Sequence, residues 1–338
     1  MTTQNRIENS EKSPRISVYI LAYNRAKLLP RAVNSVLNQT FLDFELVIVN
    51  NGSTDNTEEV LRSFEDKRII YRKHEENKGL LGGLNTALDT VRGKYIINLS
   101  DDDEFLPDAL ETIDKKFSEL APRGIKILWF DCIDAESGKY SGFGLKKEEG
   151  YISYKDYLCN KIIGDYQFAI DREVIGVKRY NSELWGGMPS IMLLDLYRDN
   201  RAFYIPKIIC KLYREHGESR ISSPETSLIN HIPKIILTMK EFLKKYGDET
   251  KKLCPKCYGQ RLASLGFYQI LNGEKKDGRS NILEALKFSF SLYHLFIFLF
   301  SLILSKETIN FICLSFFKMK RLISVKINIF RKLAKLNI

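Results

Sequence analysis

The chain has 338 residues, 44% of them apolar and 28% charged, close to the average of folded proteins; this excludes a small single module, wholesale disorder and a many-span membrane protein. Its formal charge is +10, yet residues 1–250 carry 36 basic and 38 acidic side chains while residues 251–338 carry 16 and 4. The positive excess belongs to the last quarter alone, so it does not mark the whole chain as nucleic-acid-binding.

Residues 1–14 are polar, without apolar periodicity, and end in Pro14; they read as a disordered leader. Ile16–Ala22 is a continuous apolar run, the pattern of a strand buried on both faces of a parallel sheet. Apolar residues at helical spacing follow from Leu28 to Leu37, and Phe44–Val49 is a second buried strand. That strand runs into Asn50-Asn51-Gly52-Ser53-Thr54-Asp55, a turn cluster suited to cap a helix starting near Thr57. Ile69–Tyr71 is a short strand, Lys78–Gly83 a glycine-rich turn opening a helix through Val91, and Tyr95–Leu99 a further strand that delivers Ser100-Asp101-Asp102-Asp103. Such alternation predicts an α/β fold with a mostly parallel sheet flanked by helices, and ligands in such folds bind at the carboxyl ends of the strands.

After residue 120 the pattern is mixed, with strands expected at Ile125–Phe130 and Phe203–Ile205 and a Trp185-Gly186-Gly187 turn before a helix. From Ser227 to Leu286 the periodicity is helical, with a turn near Asn272-Gly273. The six cysteines are scattered, and no N-terminal segment has the build of a signal peptide, which points to a reducing, cytoplasmic setting. Cys254-Pro-Lys-Cys257 has the spacing of half a zinc or redox site, but no second pair follows; packed thiols are the expectation.

Three consecutive aspartates at a strand end repel one another unless a cation shares them. Hard oxygen ligands favour Mg²⁺ or Mn²⁺, although an acidic helix start at Pro107-Asp108 would also use such residues. Four stretches, ISVYILAYNR (Ile16–Arg25), SVLNQTFLDFELVIVNNGSTDNT (Ser35–Thr57), ENKGLLGGLNTAL (Glu76–Leu88) and GKYIINLSDDDEFLPDAL (Gly93–Leu110), resemble in order and spacing the family 2 glycosyltransferases of GT-A fold. FYIPKIICKLYREHGESRIS (Phe203–Ser222) is similar to the strand and histidine loop that close that domain.

The resemblance implies a nucleotide-sugar donor, with Leu21, Ala22, Tyr23 and Arg25 around the base and Asn51 where relatives carry a base-recognising aspartate. It places Asp101 at the ribose or donor phosphate, and Asp102 at the metal with Asp103 and His216 as further candidates. Relatives often have Arg where this chain has Leu84, and an acid where it has Met188. The base that deprotonates the acceptor hydroxyl is then sought at Glu183 or Asp195, Glu183 being preferred. The implied activity is a metal-dependent, inverting transfer of a hexosyl or N-acetylhexosaminyl unit, from a UDP-sugar by preference, to a hydroxyl of a lipid-linked or growing polysaccharide of the bacterial surface. The departures at Leu84 and Met188 also admit a catalytically weak nucleotide-sugar-binding or scaffold protein.

Residues 288–305 are eighteen in a row without a charge, and 318–338 hold seven basic and no acidic residues. In the basic tail Leu322, Val325, Ile329, Leu333 and Leu336 share one helical face, as expected of an interfacial helix on anionic lipid. A single span would leave the basic tail outside, against the positive-inside tendency, so monotopic attachment to the inner face of the membrane is predicted. The tail is too apolar for a nucleic-acid arm. The expected layout is a leader (1–14), a GT-A domain (15–222), a helical appendage (223–286) and a membrane-associating segment (287–338).

Overall fold

The computed structural model describes residues 13–184, 191–214, 231–304 and Thr308. They fall into two compact units. The first comprises 13–157, 161–182 and 191–214, and the second 158–160, 183–184, 231–304 and Thr308.

The first unit contains, in chain order, β1 (Ile16–Ala22), α1 (Leu29–Leu37), β2 (Phe44–Asn51), α2 (Thr57–Arg62), β3 (Ile69–His74), α3 (Gly79–Thr90), β4 (Tyr95–Asn98), β5 (Glu104–Phe105), α4 (Ala109–Leu120), β6 (Ile125–Asp134), β7 (Gly142–Phe143), β8 (Gly150–Tyr151), α5 (Tyr154–Leu158, its last residue counted with the second unit), β9 (Ile163–Gly164), β10 (Tyr166–Asp171), α6 (Arg172–Ile175), α7 (Ile191–Asp199) and β11 (Arg201–Leu212). Nine strands form one mixed sheet in the order β3-β2-β1-β4-β10-β6-β11-β5, with β8 paired to β11. The β3-β2-β1-β4 half is parallel throughout, with Ile16 opposite Phe44 and Tyr95. β10 is antiparallel to both β4 and β6, so β6 and β11 run in the same direction as β1. The carboxyl ends of β1, β2, β4, β6 and β11 therefore share one edge.

The buried runs read from the sequence work because both sheet faces are covered. Ile16, Val18 and Ile20 pack with Leu29, Val33, Val36, Ile113 and Phe117 from α1 and α4 on one face. Tyr19, Val47 and Val49 pack with Ala87, Leu88, Val174, Met192 and Leu196 from α3, α6 and α7 on the other. Two features differ from the sequence expectation. β11 is twelve residues long rather than three; Pro206 interrupts the pattern, and the register of β11 against β6 shifts between Ile205 and Ile208, the usual way a strand accommodates proline. β10, the antiparallel strand between β4 and β6, lies in a Tyr-rich stretch whose apolar residues do not alternate cleanly.

The second unit is helical, over Ile232–Leu253, Pro255–Asn272, Lys275–Leu286 and Leu292–Ile303. Gly273 ends the second of these with φ +97°, the left-handed cap expected of a glycine there. Gly266 and Gly278 face each other so closely that a Cβ on either would lie 2.5 or 2.6 Å from the other's carbonyl oxygen. Cys254 forms a disulfide with Cys159, with Cα atoms 5.8 Å apart, and Cys132, Cys210 and Cys257 are free. This corrects the expectation of packed thiols at Cys254; a partner 95 residues away leaves no local signal. Among the described residues no helix is long and apolar enough to cross a membrane.

Candidate active site

Three loops meet at the carboxyl edge of the parallel strands and are stitched together by short polar side chains. Asn24 adopts φ +54°, a left-handed conformation that asparagine tolerates. Its backbone N–H donates to Ser53 Oγ at 3.0 Å, and its Oδ1 accepts from the Thr54 N–H at 2.8 Å. The Arg25 N–H donates to Thr57 Oγ1 at 2.8 Å and the Ala26 N–H to Asp55 Oδ2 at 3.2 Å. The loop after β1 is thus fixed on the loop after β2. Gly52, at φ +73°, lets the second loop pass so close to Glu76 and Asn77 that a Cβ would lie 2.4 Å from the Glu76 carbonyl carbon.

Asn51 is buried, and its amide is fully engaged. Nδ2 donates to Asn77 Oδ1 (3.0 Å) and to the Gly79 carbonyl (3.1 Å), while Oδ1 accepts from His74 Nδ1 (2.8 Å) and the Lys78 N–H (3.1 Å). Two donors and two lone pairs are all an amide has, so a base contact at Asn51 would have to replace one of these bonds. A carboxylate could not make the two donations, which gives a physical reason for Asn at this position. His74 is buried and held below its usual range by burial, with Lys78 adding to the effect; with Nδ1 donating, its Nε2 accepts from the Thr86 hydroxyl at 2.9 Å. Asn50 Oδ1 accepts from the Ser53 N–H at 3.0 Å and its Nδ2 donates to the Tyr71 hydroxyl at 3.2 Å.

The third loop is the acidic turn between β4 and β5. Asp101 Oδ1 accepts from Arg25 Nε at 3.3 Å, with the two side chains only 15% and 13% exposed. Burial pushes the Asp101 carboxyl up to about 7, and the charge of Asp102 adds to this, against the lowering effect of Arg25 and of the Tyr23 N–H. Asp102 and Asp103 are both buried. The Arg31 guanidinium donates to the Asp102 carbonyl and lies 3.5 Å over the Tyr213 ring. Tyr213 in turn donates its N–H to Asp103 Oδ1 at 3.0 Å and its hydroxyl to Glu104 Oε2 at 2.6 Å. The turn is thereby clamped between α1 and the end of β11. Arg31 and Tyr213 escaped the sequence reading, because an arginine on an amphipathic helix and a tyrosine beyond a strand carry no local sign of meeting.

Of the remaining predicted site residues, Leu21 packs so closely on the glycine-rich turn that a Cβ on Gly83 would lie 2.4 Å from its Cδ1. Ala22 is buried, and Tyr23 is 40% exposed, its ring available at the edge. Leu84, where relatives often carry Arg, packs against the core under α3 and α7. Asp195 lies on α7, 3.4 Å from Arg198. Glu183 is exposed and belongs to the second unit. His216 and Met188 lie outside the described residues.

Among the described residues no group of three or more His, Cys, Asp or Glu side chains is arranged to hold a metal by itself. The donor set at the acidic turn nevertheless suits one kind of cation. Two adjacent buried carboxylates, Asp102 and Asp103, match Mg²⁺ or Mn²⁺ that takes its other ligands from substrate phosphates.

With this geometry in place, residues 17–166 match the family described as glycosyl transferase family 2. A Campylobacter jejuni GalNAc(5)-diNAcBac-PP-undecaprenol beta-1,3-glucosyltransferase is 33% identical over 208 residues, covering 60% of this chain and 65% of that protein. The putative teichuronic acid biosynthesis glycosyltransferase TuaG of Bacillus subtilis is 31% identical over 176 residues, covering 48% of this chain and 64% of its own. The chain thus spans just under two thirds of the length of these relatives. Among solved structures, S. aureus TarS 1-349 in complex with UDP-GlcNAc has the same fold, with TM-score 0.57 and 16% identity over 80% of this chain and 89% of that one.

Proposed function

We propose, from the premise that residues 17–166 are a glycosyl transferase family 2 domain, that the chain is a glycosyltransferase moving one sugar from a nucleotide-sugar, a UDP-sugar by preference, to a hydroxyl of a lipid-linked or growing polysaccharide with inversion. The observation that carries this reading is the clamped acidic turn beside Arg25, at the edge where the loops after β1, β2 and β4 converge. Tyr23 offers its half-exposed ring to the base, and Arg25 brings a guanidinium next to Asp101, where a ribose or phosphate would lie. A divalent cation held by Asp102, with Asp103 and His216 as further candidates, would neutralise the departing diphosphate. Glu183 takes the proton of the acceptor hydroxyl as it attacks the anomeric carbon from the face opposite the leaving group; Asp195 is the alternative base, already within 3.4 Å of Arg198. A lipid-linked acceptor is favoured because the Campylobacter relative is named for an undecaprenol-linked one.

The test is a panel of nucleotide-sugars incubated with the full chain and Mn²⁺ or Mg²⁺, reading released nucleoside diphosphate with and without acceptor. One donor is expected to be hydrolysed slowly in a metal-dependent way, and Glu183→Gln to lower transfer about 10²-fold or more. Donor binding without any turnover would instead identify a scaffold, and full transfer by the Glu183→Gln variant would move the base to Asp195.

Membrane attachment is part of the same reading. Phe290, Leu292, Phe296 and Ile303, on or next to the helix Leu292–Ile303, are 53–83% exposed with Leu302, at 70%, 62%, 55%, 83% and 53%. That face precedes the basic tail 318–338, which lies outside the described residues. Burying two phenylalanines in the lipid interface is worth several kcal/mol. Phe300, one turn beyond Phe296 on the same helix, is 53% exposed as well, and the double substitution Phe296→Glu with Phe300→Glu is therefore expected to weaken flotation with anionic vesicles by about tenfold or more; unchanged flotation would place the attachment elsewhere.

A further inference from the structure

We propose that Cys159, Cys254 and Cys257 form a thiol–disulfide exchange site, with Cys254 as the sulfur shared between two partners and small thiols and disulfides of the glutathione class as its reagents. Three observations within the second unit carry this. Cys254 is bonded to Cys159. Cys257 is a free thiol three residues on, and its Sγ lies 2.8 Å from the backbone carbonyl oxygen of Cys159, so the third sulfur touches a residue that carries the bridge. Cys254 is the residue before the first turn of the 18-residue helix Pro255–Asn272, which gives Cys254-Pro-Lys-Cys257 the placement at a helix N-terminus where Cys-X-X-Cys pairs open and close.

Access and charge agree with exchange. Cys254 and Cys257 are half-buried, whereas Pro255 and Lys256 between them are exposed. Lys251, Lys252 and Lys256 place three cations within five residues of the pair, which attracts an anionic thiol reagent. The other free thiols are built differently. Cys132 and Cys210 are neighbours across β6 and β11 and are buried, and the Cys210 thiol is pushed up by its contact with Cys132 and by burial; such thiols are inert.

The chemistry balances without any other group. In oxidation, the Cys254 thiolate attacks a glutathione disulfide and releases one glutathione; the Cys159 thiolate then displaces the second, leaving Cys159–Cys254 and two glutathione thiols. In exchange, the Cys257 thiolate attacks Cys254 Sγ, the Cys254–Cys257 bond forms, and Cys159 leaves as a thiolate that takes the proton given up by Cys257. No net oxidation occurs in that step.

The experiment equilibrates the full chain in glutathione buffers from reducing to oxidising, traps thiols by alkylation and maps the linkages by mass spectrometry. The expected result is reversible loss of alkylation at Cys159 and Cys254 together, while Cys132 and Cys210 change in neither direction. In Cys159→Ser, oxidation is expected to yield Cys254–Cys257. In Cys257→Ser, the Cys159–Cys254 bond is expected to form but to be reduced by glutathione about tenfold more slowly, because the neighbouring thiol is no longer there to open it. Cys159 and Cys254 both still alkylated as free thiols in the wild-type chain under fully oxidising buffer would overturn the proposal. So would stoichiometric zinc released on alkylation of these cysteines, which would make the cluster a metal site. If Cys159→Ser fails to fold, the wild-type map and the Cys257→Ser rate still decide the matter.

Discussion

Replacing Asp102 by Ala is expected to lower metal-dependent sugar transfer by about 10³-fold, roughly 4 kcal/mol of transition-state stabilisation. Two features of the acidic turn make the effect this large. Asp102 is buried, so its interaction with a cation is weakly screened. Its backbone is held independently of its side chain, through the Arg31 guanidinium on its carbonyl and the bonds of Tyr213 to Asp103 and Glu104. Truncation therefore removes the carboxylate and leaves the turn in place. The measurement is kcat/KM for the preferred donor over a Mn²⁺ titration, with the melting temperature as a check on folding. A variant that folds and keeps activity within threefold of wild type would remove Asp102 from the proposed cation site. Arg31→Ala supplies the contrast: it frees the turn without touching its carboxylates, so it should raise KM for the donor more than it lowers kcat.

Asp101→Asn should make the protein more stable at pH 8 in the presence of EDTA, by up to about 4 kcal/mol relative to its effect at pH 4. The Asp101 carboxyl stands at about 7 in the folded chain against 3.8 for an ordinary aspartate. A folded-state value above the unfolded one contributes stability that is complete below 3.8 and is lost as pH rises through about 7, because the unfolded chain gives up the proton first. Each pKa unit is worth about 1.4 kcal/mol. Asparagine does not titrate, and its Oδ1 can still accept from Arg25, so the variant escapes that loss. Urea denaturation of the two proteins at pH 4, 5, 6, 7 and 8 reads the effect as a gap that opens over this range and levels off above pH 7. A gap independent of pH would show that Asp101 is an ordinary carboxylate. The same substitution is expected to impair donor binding, so stability and activity should move in opposite directions.

The parallel half of the sheet was legible because its signals are local. Ile16–Ala22 and Phe44–Val49 are buried on both faces and so appear as apolar runs broken only by Ser17 and Glu45, which are buried and bonded to each other, and each is followed by polar turn residues that the strand end places at the site. Asp101 and Asp102 could be singled out for the same reason, since adjacent like charges need a cause wherever they occur. Asn51 shows the limit of that reading. Its position at a strand end was plain, but only the contacts of His74, Asn77, Lys78 and Gly79 reveal that its amide is already saturated.

Other features depend on residues that meet across long stretches of chain. β10 lies centrally between β4 and β6 although its own residues alternate poorly, and its place is set by pairing with both neighbours. β11 continues past Pro206 because a register shift absorbs the missing donor. The clamp of Arg31 on Tyr213 joins α1 to the end of β11, and the Cys159–Cys254 bond joins residues 95 apart. Composition, hydrophobic period and turn chemistry act over a few residues, and from them the chain alone specified an α/β body with an acidic turn at its strand ends and a basic, apolar C-terminal quarter. Which side chains brace that turn, and which cysteines meet, was settled by packing, because two residues distant in sequence become neighbours only once the elements between them have folded.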